Sequence, residues 1–338
     1  MKLVLHIGPP KTGSSSIQAS FDSKAVDLSK HGVLYHYERP LPVWSLALKF
    51  ASVAQRATPI IRRHFATDAQ AVAWSESVWE NLGKQVEQSD AKLCILSSEF
   101  FLALPAPNVQ KLLTQLQGIF SEITVVAYAR DPASLYVSAL QQNIQGGRRL
   151  NMLQTPSSFK YTFRKQITRY ADVLGWSNIV VRNFDRANLV GGDVVVDFLD
   201  VLEKQGASVD IPSISVNESL PGAAIAWLLT VNETWSRVSL NDERQAVINR
   251  LHNSKRLATL PRLKLNAPEL ENLIMGQAAD DLTWLNENCL QGQKPLRTAA
   301  TPEGTLADKV QHAALRDWIM SYLDRDAMQM IAEDILET

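Results

Sequence analysis

The chain reads as an α/β protein: a parallel sheet with helices on both faces, followed by a helical C-terminal extension. Three observations carry this expectation. Short runs rich in Val, Ile and Leu alternate with helical periodicity through the first two hundred residues. The first run ends in a glycine-bounded loop, and later runs end in polar or charged residues, as strands do at the ligand-binding edge of such a sheet. From about residue 207 the strand-like runs stop and only helical patterns remain.

The elements follow in order. Residues 2–8 form an apolar run ending at Gly8, and a helix is expected over 14–30, where Ile17, Phe21, Ala25 and Leu28 recur along one stripe. A short strand is expected near 33–37. Residues 43–89 read as mostly helical, broken at Thr58 and Pro59. Strand 91–97, helix 108–119, strand 122–129 and helix 132–145 come next, the last opened by Asp131 as cap and Pro132 at its first position. A basic loop with Gly146, Gly147, Arg148 and Arg149 leads to helix 157–174, ended by Gly175, and to strand 178–183. Gly191 and Gly192 precede an amphipathic helix with Val194, Val195, Phe198, Leu199 and Leu202. Residues 222–290 and 306–336 read helical, joined by a Gly-, Pro- and Thr-containing link over 291–304. Two regions are therefore expected: an α/β core over 1–206 and a helical region over 207–338 packed on the same domain.

At 338 residues the chain can bury a full core, and 46% hydrophobic with 20% charged residues is ordinary for an enzyme. A net charge of −1 gives no global attraction to nucleic acid or an anionic membrane, so any anion attraction must be local. Cys94 and Cys289 are far apart and suggest neither a disulfide framework nor a zinc site. No stretch has the length and apolarity of a membrane span, and the first residues lack a signal-peptide layout. The expectation is a cytoplasmic protein without a membrane span.

Chemistry is concentrated at three strand ends. Gly8 and Gly13 enclose four residues, as in the nucleotide-triphosphate loop G-x-x-x-x-G-K-[ST], but Ser14 follows Gly13 and the one lysine, Lys11, comes two positions before it. Backbone amides, the hydroxyls of Ser14, Ser15 and Ser16, and the positive end of the next helix can still cradle a phosphate. Arg130 ends the strand 122–129, and Ser138 lies about two turns into the following helix. A guanidinium fork suits a phosphate, although an ion pair for Arg130 and a tolerated helix serine at Ser138 are the plain alternatives. Glu99 follows the strand 91–97. It can serve as a base or cap the next turn. His6 lies within the first strand and reads as a core residue. His31, His36 and His64 read as surface or loop positions. Trp227, Trp235 and Trp318 sit at core-like helical spacings.

These residues resemble the sulfotransferases that use 3′-phosphoadenosine 5′-phosphosulfate (PAPS), whose first signature is Lys-[Ser/Thr]-Gly-Thr-Thr. Here it reads Lys11-Thr12-Gly13-Ser14-Ser15, with both hydroxyls kept. The lead-in from His6 to Gly13 and the Ser97-Ser98-Glu99 segment look most like the bacterial branch. The resemblance covers about the first two-thirds of the chain, with residues 181–186 and 217–220 as weaker matches. It implies a P-loop-like three-layer sandwich and PAPS as sulfuryl donor without a metal. It further implies a 5′-phosphosulfate site at Lys11, Thr12, Gly13, Ser14, Ser15 and Ser16, and a 3′-phosphate site at Arg130 and Ser138. Lys11 would steady the leaving oxygen and Glu99 would take the acceptor's proton, although some relatives use a histidine. The acceptor stays open among carbohydrate, lipid, peptide and small metabolite, through oxygen or nitrogen. Two rivals remain: a nucleotide-dependent kinase or hydrolase, which would want Lys directly after Gly13 and a metal-holding Asp, and a non-catalytic nucleotide-binding protein.

Overall fold

The computed structural model describes residues 1–23, 27–216, 219–234, 242–299 and 307–336. Ala25, Asn217, Glu218, Trp235 and positions 300–304 of the expected link lie outside the described residues. In chain order the elements are β1 (Lys2–His6), α1 (Ser14–Phe21), β2 (Val33–Tyr35), α2 (Val53–Arg56), α3 (Pro59–Arg62), α4 (Asp68–Gln88), β3 (Leu93–Ser97), α5 (Ala106–Gln117), β4 (Glu122–Ala129), α6 (Pro132–Gln145), α7 (Phe163–Leu174), β5 (Ile179–Asn183) and α8 (Val194–Lys204). The remaining helices are α9 (Gly222–Thr234), α10 (Asp242–Asn253), α11 (Pro268–Gln277), α12 (Ala279–Asn288), α13 (Asp308–Met320) and α14 (Arg325–Leu336). The fold is α/β, and every strand pair is parallel.

The chain divides into two compact units: residues 1–129, 162–216 and 285–295, and residues 130–161, 217–284 and 296–338. The first holds the sheet, in the order β2-β3-β1-β4-β5. β1 is its centre, with His6 opposite Ser97 of β3 on one side and Val126 of β4 on the other. Val4, Ile95, Val126 and Tyr128 face a cluster built with Ile17 and Phe21 of α1 and Val195, Phe198, Val201 and Leu202 of α8. The alternate residues Leu3, Leu5, Leu96, Val125 and Ala127 are equally buried. Both faces of the sheet are thus covered, which is why its strands read as continuous apolar runs. α5 and α7 pack against β4 and each other, outside that cluster. A satellite core joins Leu41, Trp44, Leu48, Ile61 and Ala71 to Trp74 and Phe100.

The edge strand β5 is closed by a side chain. The amide of Asn183 donates to Gln293 Oε1 at 2.8 Å, and Gln293 Nε2 donates to the Val181 carbonyl at 3.0 Å. Asn183 Nδ2 adds a bond to the Lys294 carbonyl at 2.8 Å. In the second unit, α6 packs on α9 and α11, and α13 packs on α9. Its described residues contain no strand, only a bridge between Pro221 and Arg262.

Several expectations are corrected. The first helix stops at Phe21, not at residue 30. Further on, Asp27 accepts from the amide of Ser29 and opens a separate 3-10 turn over Leu28–His31, which Gly32 closes at φ 67. The helix expected from 157 begins at Phe163. Thr155 and Ser158 instead bond to one another around a short turn at Pro156–Ser158. Residues 43–50 are turns rather than helix. His31 and His64 are exposed as expected. His36 is buried, with Nδ1 bonded to Gln85 Oε1 at 3.0 Å.

His6 is fully buried, with Nδ1 2.8 Å from Ser97 Oγ and its ring among Tyr128 and Phe198. Burial pushes the imidazole from its ordinary 6.5 down to about 3. The folded protein therefore refuses a proton that the unfolded chain accepts below pH 6.5. This contribution is fully present above the unfolded value and declines as the pH falls toward the folded one, by up to about 1.4 kcal/mol per pH unit. Urea unfolding across that range should show a shallower acid decline in His6→Gln than in the wild type. Parallel curves would mean that His6 does not set the acid limit.

Candidate functional site

The loop after β1 starts at the strand where the chain's connections switch direction, since β3 and β4 flank β1 and are joined by a crossover. Gly8 (φ 87), Lys11 (φ 68) and Gly13 (φ 78) all take left-handed backbone. For Lys11 this costs about 1–2 kcal/mol against the ordinary helical or extended conformations. Thr12 is buried, and its hydroxyl donates to the Pro9 carbonyl at 2.6 Å, tying the loop across its base. Gly13 is the N-cap of α1 and, as a glycine, brings no side chain to cap it. Ser14 Oγ is buried without a hydrogen-bond partner among the described residues. Ser15 is half-buried. Ser16 Oγ accepts from the amide of Val216 at 3.1 Å, and Ser20 Oγ from that of Ile214 at 2.9 Å, so residues 214–216 are strapped along α1.

Glu99 comes two residues after β3 and lies against this loop. A Cβ built on Gly8 would stand 3.0 Å from both Cα and Cβ of Glu99. Only a residue without a side chain lets the two backbones approach so closely. Burial raises the Glu99 carboxyl above its ordinary value, and the nearby Lys11 charge pulls it partly back. Ser98 closes the strand by accepting from the amide of Phe100 at 3.2 Å, so Glu99 is not the cap of that turn. Beneath, Gln18 Nε2 reaches Ser97 Oγ at 3.3 Å, linking α1 to the His6–Ser97 pair.

Arg130 directly follows β4 in the chain and belongs to the second unit, with α6. Its Nε donates to Ser134 Oγ at 2.7 Å, and its carbonyl accepts from the Tyr161 hydroxyl at 3.1 Å. Burial lowers its pKa, while the Asp131 charge works the other way. Asp131 caps α6 through Oδ1, which accepts from the Ser134 amide at 2.8 Å. Its Oδ2 accepts from Arg297 Nε and Nη2 at 3.2 and 3.1 Å, and Arg297 Nη1 pairs with Glu271. Ser138 is half-buried one turn beyond Ser134, on the same side of α6.

The structure thus brings Lys11, Thr12, Gly13, Ser14, Ser15, Ser16 and Glu99 together in the first unit, and Arg130 and Ser138 together in the second. Arg148 is exposed, and Arg149 Nε donates to the Asn232 carbonyl at 3.1 Å. Trp318 is buried with its indole N–H on the Lys264 carbonyl, and Trp227 is half-buried on α9. Two participants escaped sequence reading. Ser134 carried a signal, since Arg130, Ser134 and Ser138 stand four apart. Arg297 carried none, being 166 residues from its partner Asp131. No group of three His, Cys, Asp or Glu side chains among the described residues is placed to hold a metal ion.

Two solved structures are similar in arrangement. A sulfotransferase from Alicyclobacillus acidocaldarius is 14% identical, with a TM-score of 0.37 over 68% of this chain and 91% of its own. The sulfotransferase domain of the Synechococcus PCC 7002 olefin synthase is 12% identical, with a TM-score of 0.40 over 75% of this chain and 95% of its own. No protein-family model and no curated protein sequence matches the chain.

Gly13 gives the site its stringent structural test. A Cβ there would lie 2.6 Å from Val194 Cγ1 of α8, and the φ of 78 is strained for any side chain. Gly13→Ala should destabilise the protein by about 2–4 kcal/mol, combining overpacking with left-handed strain. Chemical denaturation measures this. Adding Val194→Ala should recover only the packing part.

Proposed function

We propose that this protein is a sulfotransferase that moves a sulfuryl group from PAPS to a hydroxyl or amine of a carbohydrate, lipid or small-metabolite acceptor. The observation that carries the reading is the Lys11 loop at the end of the central strand, with Glu99 against its first glycine. The sequence resemblance from Lys11 to Ser15, and at Arg130 and Ser138, is what favours PAPS as the donor.

The loop fits a phosphosulfate in kind. It offers left-handed backbone at three positions, an α1 N-terminus whose cap residue, Gly13, brings no side chain, and a buried Ser14 hydroxyl lacking a partner among the described residues. Thr12 contributes by holding the loop's shape, because its hydroxyl is engaged with Pro9. Arg130 and Ser138 would take the 3′-phosphate, with Ser134 fixing the Arg130 guanidinium through Nε.

In the reaction the acceptor's oxygen or nitrogen bonds to sulfur while the sulfur–oxygen bond to the 5′-phosphate breaks. Glu99 takes the acceptor's proton. Lys11 and the α1 N-terminus stabilise the charge that collects on the departing phosphate oxygen. A carboxyl raised by burial is a better base near neutral pH than an ordinary one.

Lys11→Ala should lower turnover by about two to three orders of magnitude, as removal of one charge-stabilising donor does. Turnover measured with labelled donor at wild-type levels would remove Lys11 from the mechanism. Arg130→Ala should chiefly weaken calorimetric binding of adenosine 3′,5′-bisphosphate, and a wild-type protein that prefers ATP would point to phosphoryl chemistry instead.

The acid limb of the pH–activity profile should lie above the usual 4.5 of a glutamate, because Glu99 must be ionised to act and burial resists ionisation. Residual activity of Lys11→Ala should show that limb moved higher still, since Lys11 favours the charged form. Glu99→Gln should abolish the limb and, by removing a buried charge, raise thermal stability at neutral pH. A limb unchanged in Glu99→Gln would assign the base elsewhere.

A further inference from the structure

The second unit contains an ion network whose end lies beyond the residues assigned above. Arg130 stands beside Asp131 in the chain, and the Asp131 charge acts on it. A carboxylate so placed competes with any phosphate for the guanidinium. Both Asp131 oxygens are occupied, however. Oδ1 accepts from the Ser134 amide at 2.8 Å, and Oδ2 takes two Arg297 nitrogens at 3.1 and 3.2 Å. Arg297 is in turn anchored by Glu271 of α11. The Asp131 and Glu271 side chains are 26% and 23% exposed and that of Arg297 is 58% exposed, so the carboxylate side of each pair is the one shielded from water.

We infer that Arg297 is a positioning residue that engages and neutralises the Asp131 carboxylate, so that Arg130 presents its charge to a phosphate and not to its own neighbour. The inference rests on the reading of Arg130 as the 3′-phosphate anchor. Without Arg297, the Asp131 carboxylate keeps no side-chain counter-cation but Arg130 among the described contacts, and it competes with the anion for that guanidinium. The bonding of Arg130 Nε to Ser134 Oγ fits this division, since Ser134 serves both residues: its hydroxyl holds Arg130 and its amide holds Asp131. Arg297 thereby acts at one remove from the ligand.

The test is calorimetric titration of the full chain with adenosine 3′,5′-bisphosphate and with adenosine 5′-monophosphate, which lacks the 3′ group. The proteins are wild type, Arg130→Ala, Arg297→Ala, Asp131→Asn and the Arg297→Ala/Asp131→Asn pair. Asparagine caps a helix as well as aspartate does, so α6 keeps its start in the Asp131 variants. Arg297→Ala should bind the bisphosphate about tenfold more weakly and the monophosphate unchanged. The paired variant should regain most of that loss. If Arg297→Ala does not fold, as circular dichroism would reveal, Arg297→Gln takes its place. Normal bisphosphate binding by the Arg297 variant, with Arg130→Ala weakened, overturns this inference and leaves the proposed function standing. Equal weakening for both ligands, or no recovery in the paired variant, also overturns it, because Arg297 would then act through the fold at large. Normal bisphosphate binding by Arg130→Ala removes the anchor itself, and the inference with it.

Discussion

The missing side chain at Gly8 is the constraint on which the candidate site depends. β1 lies at the centre of a five-stranded sheet, is buried on both faces and is held in register from both sides. The point at which the chain leaves it is therefore among the least adjustable in the first unit. Because Gly8 carries no Cβ, the backbone after β3 can lie directly on that exit. Glu99 thus inherits its position from main-chain packing rather than from a long side chain's choice of rotamer. The lysine loop and the carboxylate share one rigid origin, which suits chemistry sensitive to small displacements.

The two units keep their charged groups by different physical means. In the first, the proposed anion site would draw largely on backbone, the left-handed turns and the start of α1, together with Lys11. In the second it would draw on side chains braced against one another, Arg130 by Ser134 and Asp131 by Arg297. Both Glu99 and Arg130 are held against the pull of desolvation, one pushed toward its neutral acid and the other toward its neutral base. Groups that serve only solubility do not sit in such surroundings, and perturbed residues at strand ends are where function is sought.

Much of this was legible before any coordinates. β4 and α6 fall at the expected residues, because an unbroken apolar run meets Arg130 and then the strong local signals of Asp131 and Pro132. The α1 boundary was not legible, since a stripe of apolar residues continues past Phe21 while Asp27 and Gly32 impose their own turn. The burial of His36 is not legible, because a single histidine after a short strand gives no hint of Gln85 waiting on α4. The loop residues announced themselves by type and spacing. The contact between Gly8 and Glu99 did not, because it joins segments that meet only once β1 and β3 have paired.

Gln293 has a consequence for how the molecule behaves among its own copies. Its side-chain amide offers the end of β5 one acceptor and one donor, the pairing a further parallel strand would supply. At the opposite margin β2 is three residues long, too brief to template much. A twisted sheet that ends in a plugged strand on one side and a stub on the other gives a stray extended peptide little to zip onto. Resistance to edge-to-edge association is thus written into a single glutamine far along the chain.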